Sequence, residues 1–127
     1  MTSDEMTSVL EAGCEDRYDY FLSAVAENRD IWILVNGNQQ FLKIYDEDDG
    51  IEYLPVWPDR TFAAAYGDDA SGLEPKSISL PEFFKKWIDG LTRDGLQVGV
   101  FPGSDATVWM LTPSELKNDL QEAMSAP

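Results

Sequence analysis

The spacing of apolar residues along the chain predicts four helices. Tyr18 is followed by apolar residues three, four and seven positions later, a spacing that places all four on one face of a helix. Two later segments repeat this apolar face, and the run RTFAAAY after Asp59 adds a short helix that ends near Gly67. The predicted helices span residues 16–28, 60–66, 81–91 and about 113–124.

The first two strands are predicted to form a hairpin. The run IWILV is rich in β-branched residues and ends at Asn36-Gly37, a pair that favours a two-residue type I′ turn. That register would set Trp32 opposite Phe41, where two aromatic side chains stabilise a cross-strand pair. The partner strand is therefore expected to run from residue 41 to residue 45.

Later strand-like runs complete the predicted sheet. An acidic loop precedes a third strand over residues 51–56, and LQVGVF and TVWML predict another hairpin. One more strand between the second and third helices gives the order α-β-β-β-α-β-α-β-β-α. Because tight hairpins join antiparallel neighbours, we predict an α+β fold. It has a single antiparallel twisted sheet of about five to six strands, with about four helices packed against it.

Capping signals mark where three of the helices begin. Asp59 is a favourable N-cap for the short second helix. Ser79 and Glu82 have the spacing of a capping box, and Thr112 and Glu115 repeat it before the last helix.

The apolar faces of these elements predict the core. The residues expected there are Phe21, Leu22, Val25, Ile33, Leu54, Phe83, Phe84, Trp87, Ile88, Val98, Val100, Leu116 and Leu120. The helix over 81–91 supplies several of them, and Lys85 and Lys86 are expected to face outward.

Length and composition suit one domain. The chain has 127 residues, of which 43% are hydrophobic, enough to bury a core without disulfides or metals. We expect a single globular domain over residues 15–127. A mobile N-terminal segment is expected over residues 1–14, where Gly13 would end any helix.

Negative charge is the strongest compositional signal. There are 24 acidic and 9 basic side chains, for a net charge of −15. Residues 1–75 hold 17 acids and 4 bases, against 7 and 5 in residues 76–127, so the first part carries −13 of that charge. Phosphate binding needs clustered Lys and Arg, so the charge argues against nucleic acid and against an anionic membrane surface as partners.

The chain has the features of a cytoplasmic protein. Its longest apolar run, Ile31–Val35, is too short to cross a bilayer, and its first thirteen residues contain no basic residue of the kind that a signal peptide needs. Cys14 is the single cysteine, so no internal disulfide can form. We therefore expect a cytoplasmic location.

The sequence lacks the residues that several common catalytic mechanisms require. There is no histidine, which excludes Ser-His-acid and Cys-His hydrolysis and removes the commonest zinc ligand. The Gly-rich motifs that bind nucleotide phosphates are absent as well. We therefore predict no catalytic residue, no metal site and no cofactor. A carboxylate-based hydrolase stays open as an alternative, because 24 acids can supply a pair at a suitable distance.

Trp57 is a candidate contact residue. It stands between Pro55 and Pro58, and Pro58 removes a backbone donor, so the segment is first of all a strand terminator. Tryptophans in apolar patterns usually belong to the core. However, binding groups collect at strand ends, so Trp57, Pro58 and Arg60 are predicted as a contact site, or as the wall of a small-ligand pocket.

The loop Asp46-Glu47-Asp48-Asp49-Gly50 resembles a calcium loop only superficially. With Gly50 at position 6 of an EF-hand, positions 1 and 12 would be Tyr45 and Val56, although both should be acidic ligands. A hydrated hairpin tip is the expected structure.

Several stretches resemble a known family. They are RYDYFLSAVAENRDIWIL, EYLPVWPDRTFAAAY, SISLPEFFKKWIDGLTRDGLQVGVFPG and TPSELKNDL. These stretches resemble an uncharacterised bacterial family catalogued as domain of unknown function 2750, and the likeness covers about residues 16–121. LPVW, SLPEFF and GVFPGS also resemble, more loosely, the N-terminal domain of the enhanced serine sensitivity protein. The first resemblance implies an α+β fold and a small bacterial protein, and it carries over no catalytic residue.

These observations lead to a functional hypothesis. We expect a non-catalytic protein-interaction module, such as an inhibitor or regulator of a basic protein partner. Asp46, Asp48 and Asp49 would contact that partner beside Trp57, because charge accelerates association and an aromatic anchor adds affinity. The alternative is a small-ligand-binding domain or a carboxylate-based hydrolase with a pocket near Trp57.

Overall fold

The computed structural model describes residues 13–38, 40–47, 50–67, 72–101 and 108–125. Within these ranges, four helices and six strands follow one another in the predicted order. Three of the helices are α1 Cys14–Asn28, α2 Arg60–Gly67 and α4 Pro113–Ser125. Helix α3 consists of three consecutive segments: an α-helical turn Leu80–Glu82, a π-helical segment Phe83–Trp87 and an α-helical segment Ile88–Asp94. The strands are β1 Asp30–Val35, β2 Ile44–Asp46, β3 Ile51–Val56, β4 Glu74–Ser79, β5 Gln97–Val100 and β6 Trp109–Leu111. The mixed α+β class is confirmed.

The strands form two sheets rather than the single antiparallel sheet that the sequence predicted. β1 pairs antiparallel with β4, and the second sheet has the order β2-β3-β5-β6. β3 and β5 run parallel, with Leu54 opposite Val98. The parallel pair is possible because α2, β4 and α3 lie between its strands in the chain, and a connection of this length can return to the starting end of the sheet.

One residue pair connects the two sheets. The backbone N–H of Trp32 in β1 donates to the carbonyl of Trp57 at 3.0 Å, and the N–H of Trp57 donates to the carbonyl of Trp32 at 2.9 Å. Trp57 directly follows β3, and Trp32 lies near the middle of β1. This pair of hydrogen bonds therefore holds the end of β3 against the middle of β1.

The predicted register of the first hairpin is wrong. Val35, not Trp32, lies opposite Phe41, and the strand β2 begins only at Ile44 and pairs with β3. The reason lies in the side chain of Asn36. Its Oδ1 accepts hydrogen bonds from the backbone N–H groups of Asn38 and Gln40 at 2.9 and 3.0 Å, which stabilises a wider loop than a two-residue turn.

The predicted helix starts are confirmed. The Asp59 carboxylate accepts from the backbone N–H of Phe62 at 3.0 Å, and the Ser79 hydroxyl accepts from the N–H of Glu82 at 3.4 Å. Thr112 and Glu115 exchange side-chain to backbone hydrogen bonds in both directions, at 3.0 and 3.2 Å. Each signal was readable from sequence because donor and acceptor lie within three residues of each other.

Most of the predicted core is buried. Leu22, Phe84 and Trp87 are exceptions, because they are only partly buried and pack against its margin. The core also contains residues that the sequence did not single out, among them Trp57, Phe62 and Phe101.

Of the segment predicted to be mobile, residues 1–12 lie outside the described ranges, and α1 begins at Cys14. Within the described ranges, no helix has the length and apolar character needed to span a membrane.

Candidate functional site

The corner at Trp57 is internal. The indole of Trp57 is 1% exposed, and Pro58 is buried beside it. Arg60 is exposed as the first residue of α2. The side chains of Trp57 and Pro58 therefore face the protein interior, because the double hydrogen bond to Trp32 fixes this strand end between the two sheets.

A buried cation lies close to this corner. Arg17 of α1 is fully buried, and its Nε donates to the backbone carbonyl of Phe101 at 3.1 Å. Phe101 has a left-handed backbone with φ of 53°, and its N–H donates to the carbonyl of Val56 at 2.8 Å. Arg17 thus ties α1 to the carboxyl end of the parallel strands. This is a structural role that sequence reasoning missed, since an arginine in a helix usually reads as a surface residue.

The acidic residues predicted as contacts belong to the β2–β3 hairpin. We call residues 44–53 the Tyr45 hairpin. Asp46 ends β2, and its side chain, like the whole of Asp48 and Asp49, lies outside the described residues. Glu47 and Glu52 are described, and both are exposed.

Tyr45 is the exposed aromatic residue of this hairpin. It is 60% exposed, more than any other large hydrophobic side chain among the described residues, and it lies opposite Glu52 in the strand register. Its strand, β2, has three residues and stands at the end of the four-stranded sheet. Sequence reasoning missed Tyr45 because a three-residue strand is too short to show an alternating pattern.

Among the described side chains, Lys43 and Glu52 form a loose ion pair beside this hairpin. Nζ of Lys43 lies 3.9 Å from Oε1 of Glu52, and both side chains are nearly half exposed. An ion pair of this kind contributes about 0–1 kcal/mol. The pair therefore neutralises little of the charge of Glu52, which lies opposite Tyr45 in the strand register.

A second surface surrounds Phe41. Two pockets that share Phe41 form what we call the Phe41 groove. The smaller, of about 210 Å³, is lined by Phe41, Lys86, Trp87, Gly90, Leu91 and Asp94. The larger, of about 610 Å³, is lined by Asn36, Gln40, Phe41, Leu42, Lys43 and Leu73.

Aromatic rings form the floor of the groove. The ring centroids of Phe41 and Trp87 are 5.1 Å apart with an interplanar angle of 64°, the edge-to-face geometry that aromatic pairs favour. Trp87 is the last residue of the π-helical segment of α3. Such segments are frequent at functional sites, because the extra residue in the turn redirects the side chains that follow. The groove joins elements distant in sequence, so no local pattern predicted it.

Acid–base catalysis has little support in these surfaces. Neither pocket of the groove is lined by two carboxylates. Among the described residues, no group of three or more Cys, Asp or Glu side chains could hold a metal ion. The pKa of Glu115 is lowered by the hydrogen bond from the backbone N–H of Thr112, the opposite of what a general acid requires.

Tyr18 also has a structural explanation. Burial raises the pKa of its phenol, and the hydrogen bond that it donates to Asp119 raises it further. Its ring stacks on Trp109 with centroids 5.0 Å apart. Tyr18 therefore stays protonated and joins α1 to α4, rather than acting as a base.

The fold and its surfaces define a mixed α+β domain with an exposed aromatic hairpin and an aromatic groove. Residues 18–120 match the family described as Protein of unknown function (DUF2750), and the chain belongs to this family. The resemblance to the family catalogued as domain of unknown function 2750 is thereby confirmed. No curated protein matches the chain.

Proposed function

We propose that this chain is a non-catalytic protein-interaction module that binds a basic protein partner through the Tyr45 hairpin. The observation that carries the proposal is the 60% exposure of Tyr45, which is followed in the sequence by the five acids of residues 46–52. Tyrosine supplies a large contact area at low conformational cost, and it is enriched among the residues that dominate binding energy.

Charge gives the contact its speed and selectivity. Residues 45–52 contain five acids and no base, within a region of the chain that carries −13. Such a field attracts a basic surface over a Debye length and repels acidic competitors. The predicted contacts Asp46, Asp48 and Asp49 stay in the proposal, and Tyr45 takes the role of aromatic anchor that was predicted for Trp57.

Solubility is the competing explanation of the acids. Charges on an edge strand also prevent sheets from joining edge to edge, which requires no partner at all. The two explanations differ in what a redistribution of charge does. A specific contact depends on where the acids lie, whereas solubility depends mainly on how many there are.

A pull-down from the native cell at low salt separates them. One variant reverses Asp46, Asp48 and Asp49 to Lys, and the matched control reverses the exposed Glu27, Asp89 and Glu122 to Lys. Both variants change the net charge equally. We expect the wild type and the control to retain the same basic protein and the hairpin variant to lose it. Identical retention by both variants would leave solubility as the account of the acids.

Two rate measurements on the same complex separate the effect of charge from that of the aromatic contact. Association is expected to slow between 0.01 M and 0.1 M salt, because the Debye length falls from roughly 30 Å to about 10 Å. Tyr45→Ala is expected to speed dissociation instead, because it removes contact area and leaves the field intact.

A further inference from the structure

The smaller pocket of the Phe41 groove has the make-up of a ligand site. Its floor consists of Phe41, Trp87 and Leu91, which are apolar, and its volume is about 210 Å³. Sites for drug-sized ligands occupy roughly 300–1,000 Å³, so this one suits a molecule of about one or two rings. The edge-to-face pair of Phe41 and Trp87 offers aromatic surface against which a further ring can pack.

A glycine keeps the pocket open. Gly90 follows Lys86 by one helical turn and precedes Asp94 by one turn, so the three residues lie along one line of α3. A Cβ atom built at Gly90 would meet only Nη2 of Arg93, at 3.9 Å. A side chain at this position would occupy space that is empty in the present structure.

The rim of the smaller pocket carries opposite charges at its two ends, Lys86 and Asp94. Lys86 lines the pocket, the guanidinium of Arg93 reaches the position above Gly90, and Lys43 lines the adjoining pocket. Lys43 is paired with Glu52 at 3.9 Å, so Lys86 and the nearby Arg93 are the cations that a ligand in the smaller pocket would meet. Asp94 is the opposing charge in the pocket, and it lies two helical turns beyond Lys86.

We propose that the Phe41 groove binds a small aromatic carboxylate. The ring of the ligand packs against Phe41 and Trp87 above Gly90, and its carboxylate points to the Lys86 end, away from Asp94. Charge complementarity selects the anion: an uncharged ring would gain the apolar contacts but not the attraction of Lys86 and Arg93. This inference is independent of the Tyr45 hairpin and of its partner.

The test uses 2-naphthoate and its uncharged amide, 2-naphthamide, as matched probes. Titration into the 15N-labelled full chain, followed by 15N–1H NMR, reports both affinity and location. We expect saturable naphthoate binding, with the shifts centred on the amides of Phe41, Trp87 and Gly90. We expect naphthamide to bind about two- to fivefold more weakly, the factor for one exposed charge pair. Equal affinity of the two probes, shifts centred elsewhere, or the absence of binding at millimolar naphthoate would overturn the proposal.

Variants place the ligand without disturbing the fold. Gly90→Leu fills the pocket and is expected to abolish naphthoate binding, whereas Gly90→Ala, which adds one methyl group, is expected to weaken it less. Both replacements also favour the helix, so the NMR spectrum is expected to stay dispersed. Lys86→Gln is expected to weaken naphthoate binding about two- to fivefold and to leave naphthamide unchanged, with Lys117→Gln as the neutral control. Naphthoate binding that survives Gly90→Leu, or that falls equally in both lysine variants, would contradict the assignment.

Discussion

Trp57 and Tyr45 occupy similar places in the sequence and opposite places in the structure. Each is an aromatic residue one or two positions before an aspartate, yet Trp57 is 1% exposed and Tyr45 is 60% exposed. The difference comes from the partners of their backbones. The backbone N–H and carbonyl of Trp57 are both hydrogen-bonded to Trp32 of the other sheet, whereas Tyr45 lies on a three-residue strand at the end of its sheet. Position within the sheets, not local composition, decides which aromatic residue can meet a partner.

The largest expected effect tests this contrast directly. Trp57→Ala is expected to reduce the free energy of unfolding by about 3–5 kcal/mol, because it empties a large volume in the core. Tyr45→Ala is expected to change it by less than about 0.5 kcal/mol. Urea denaturation of both variants provides the measurement. A loss below about 1 kcal/mol for Trp57→Ala would show that this indole is not packed as described.

The parallel strands that lead to Trp57 offer a second test. A Cβ atom at Gly99 of β5 would lie 2.3 Å from Cδ2 of Tyr53, so the ring would have to move. Gly99→Ala is therefore expected to destabilise the fold by about 1–3 kcal/mol in urea denaturation. Gly37→Ala is the matched control, because nothing lies within 4 Å of its added methyl group. Equal effects at both glycines would argue against the parallel pairing of β3 and β5.

Loss of the partly buried hydrogen bond between Tyr18 and Asp119 is expected to reduce the free energy of unfolding by an intermediate amount. Tyr18→Phe keeps the stacking on Trp109 and removes the hydrogen bond to Asp119. The expected loss is about 1–2 kcal/mol, against almost none for the exposed Tyr45→Phe.

The raised pKa of Tyr18 predicts that the stability of the fold declines at alkaline pH. The pKa of Tyr18 is raised above its ordinary value of 10.0, so the stabilisation from its protonated form is complete below pH 10 and is lost as the pH rises beyond it. Chemical denaturation between pH 8 and pH 11 should therefore show a steeper decline for the wild type than for Tyr18→Phe. Parallel declines would contradict the raised pKa.

The smallest effect is expected at an exposed cap. The pKa of Glu115 lies below its ordinary value of 4.5 because the carboxylate accepts the N–H of Thr112. Its stabilisation is therefore present above pH 4.5 and is lost as the pH falls through the lowered pKa. The difference in Tm between the wild type and Glu115→Gln should be present at pH 7 and should vanish at low pH. A difference that is independent of pH would contradict the capping role of the charge.

The features that were predictable from the sequence are local ones. The caps at Asp59 and Thr112 join groups within three residues, and the order of helices and strands follows from apolar periodicity. The features that were not predictable depend on distant residues. The parallel pairing of β3 and β5, the burial of Arg17 and the meeting of Phe41 with Trp87 each join segments more than forty residues apart. The hairpin at Asn36 shows that a side chain can also override a local signal.

Site-specific photo-crosslinking in the native cell shows directly whether a partner contacts the Tyr45 hairpin. A benzophenone amino acid replaces Tyr45 in one variant and the exposed Arg60, which stands at the Trp57 corner, in the other. The account predicts that position 45 captures a basic protein, that charge reversal at Asp46, Asp48 and Asp49 removes this product, and that position 60 captures none of it. Capture of the partner from position 60 and not from position 45 would place the contact at the Trp57 corner and contradict the account.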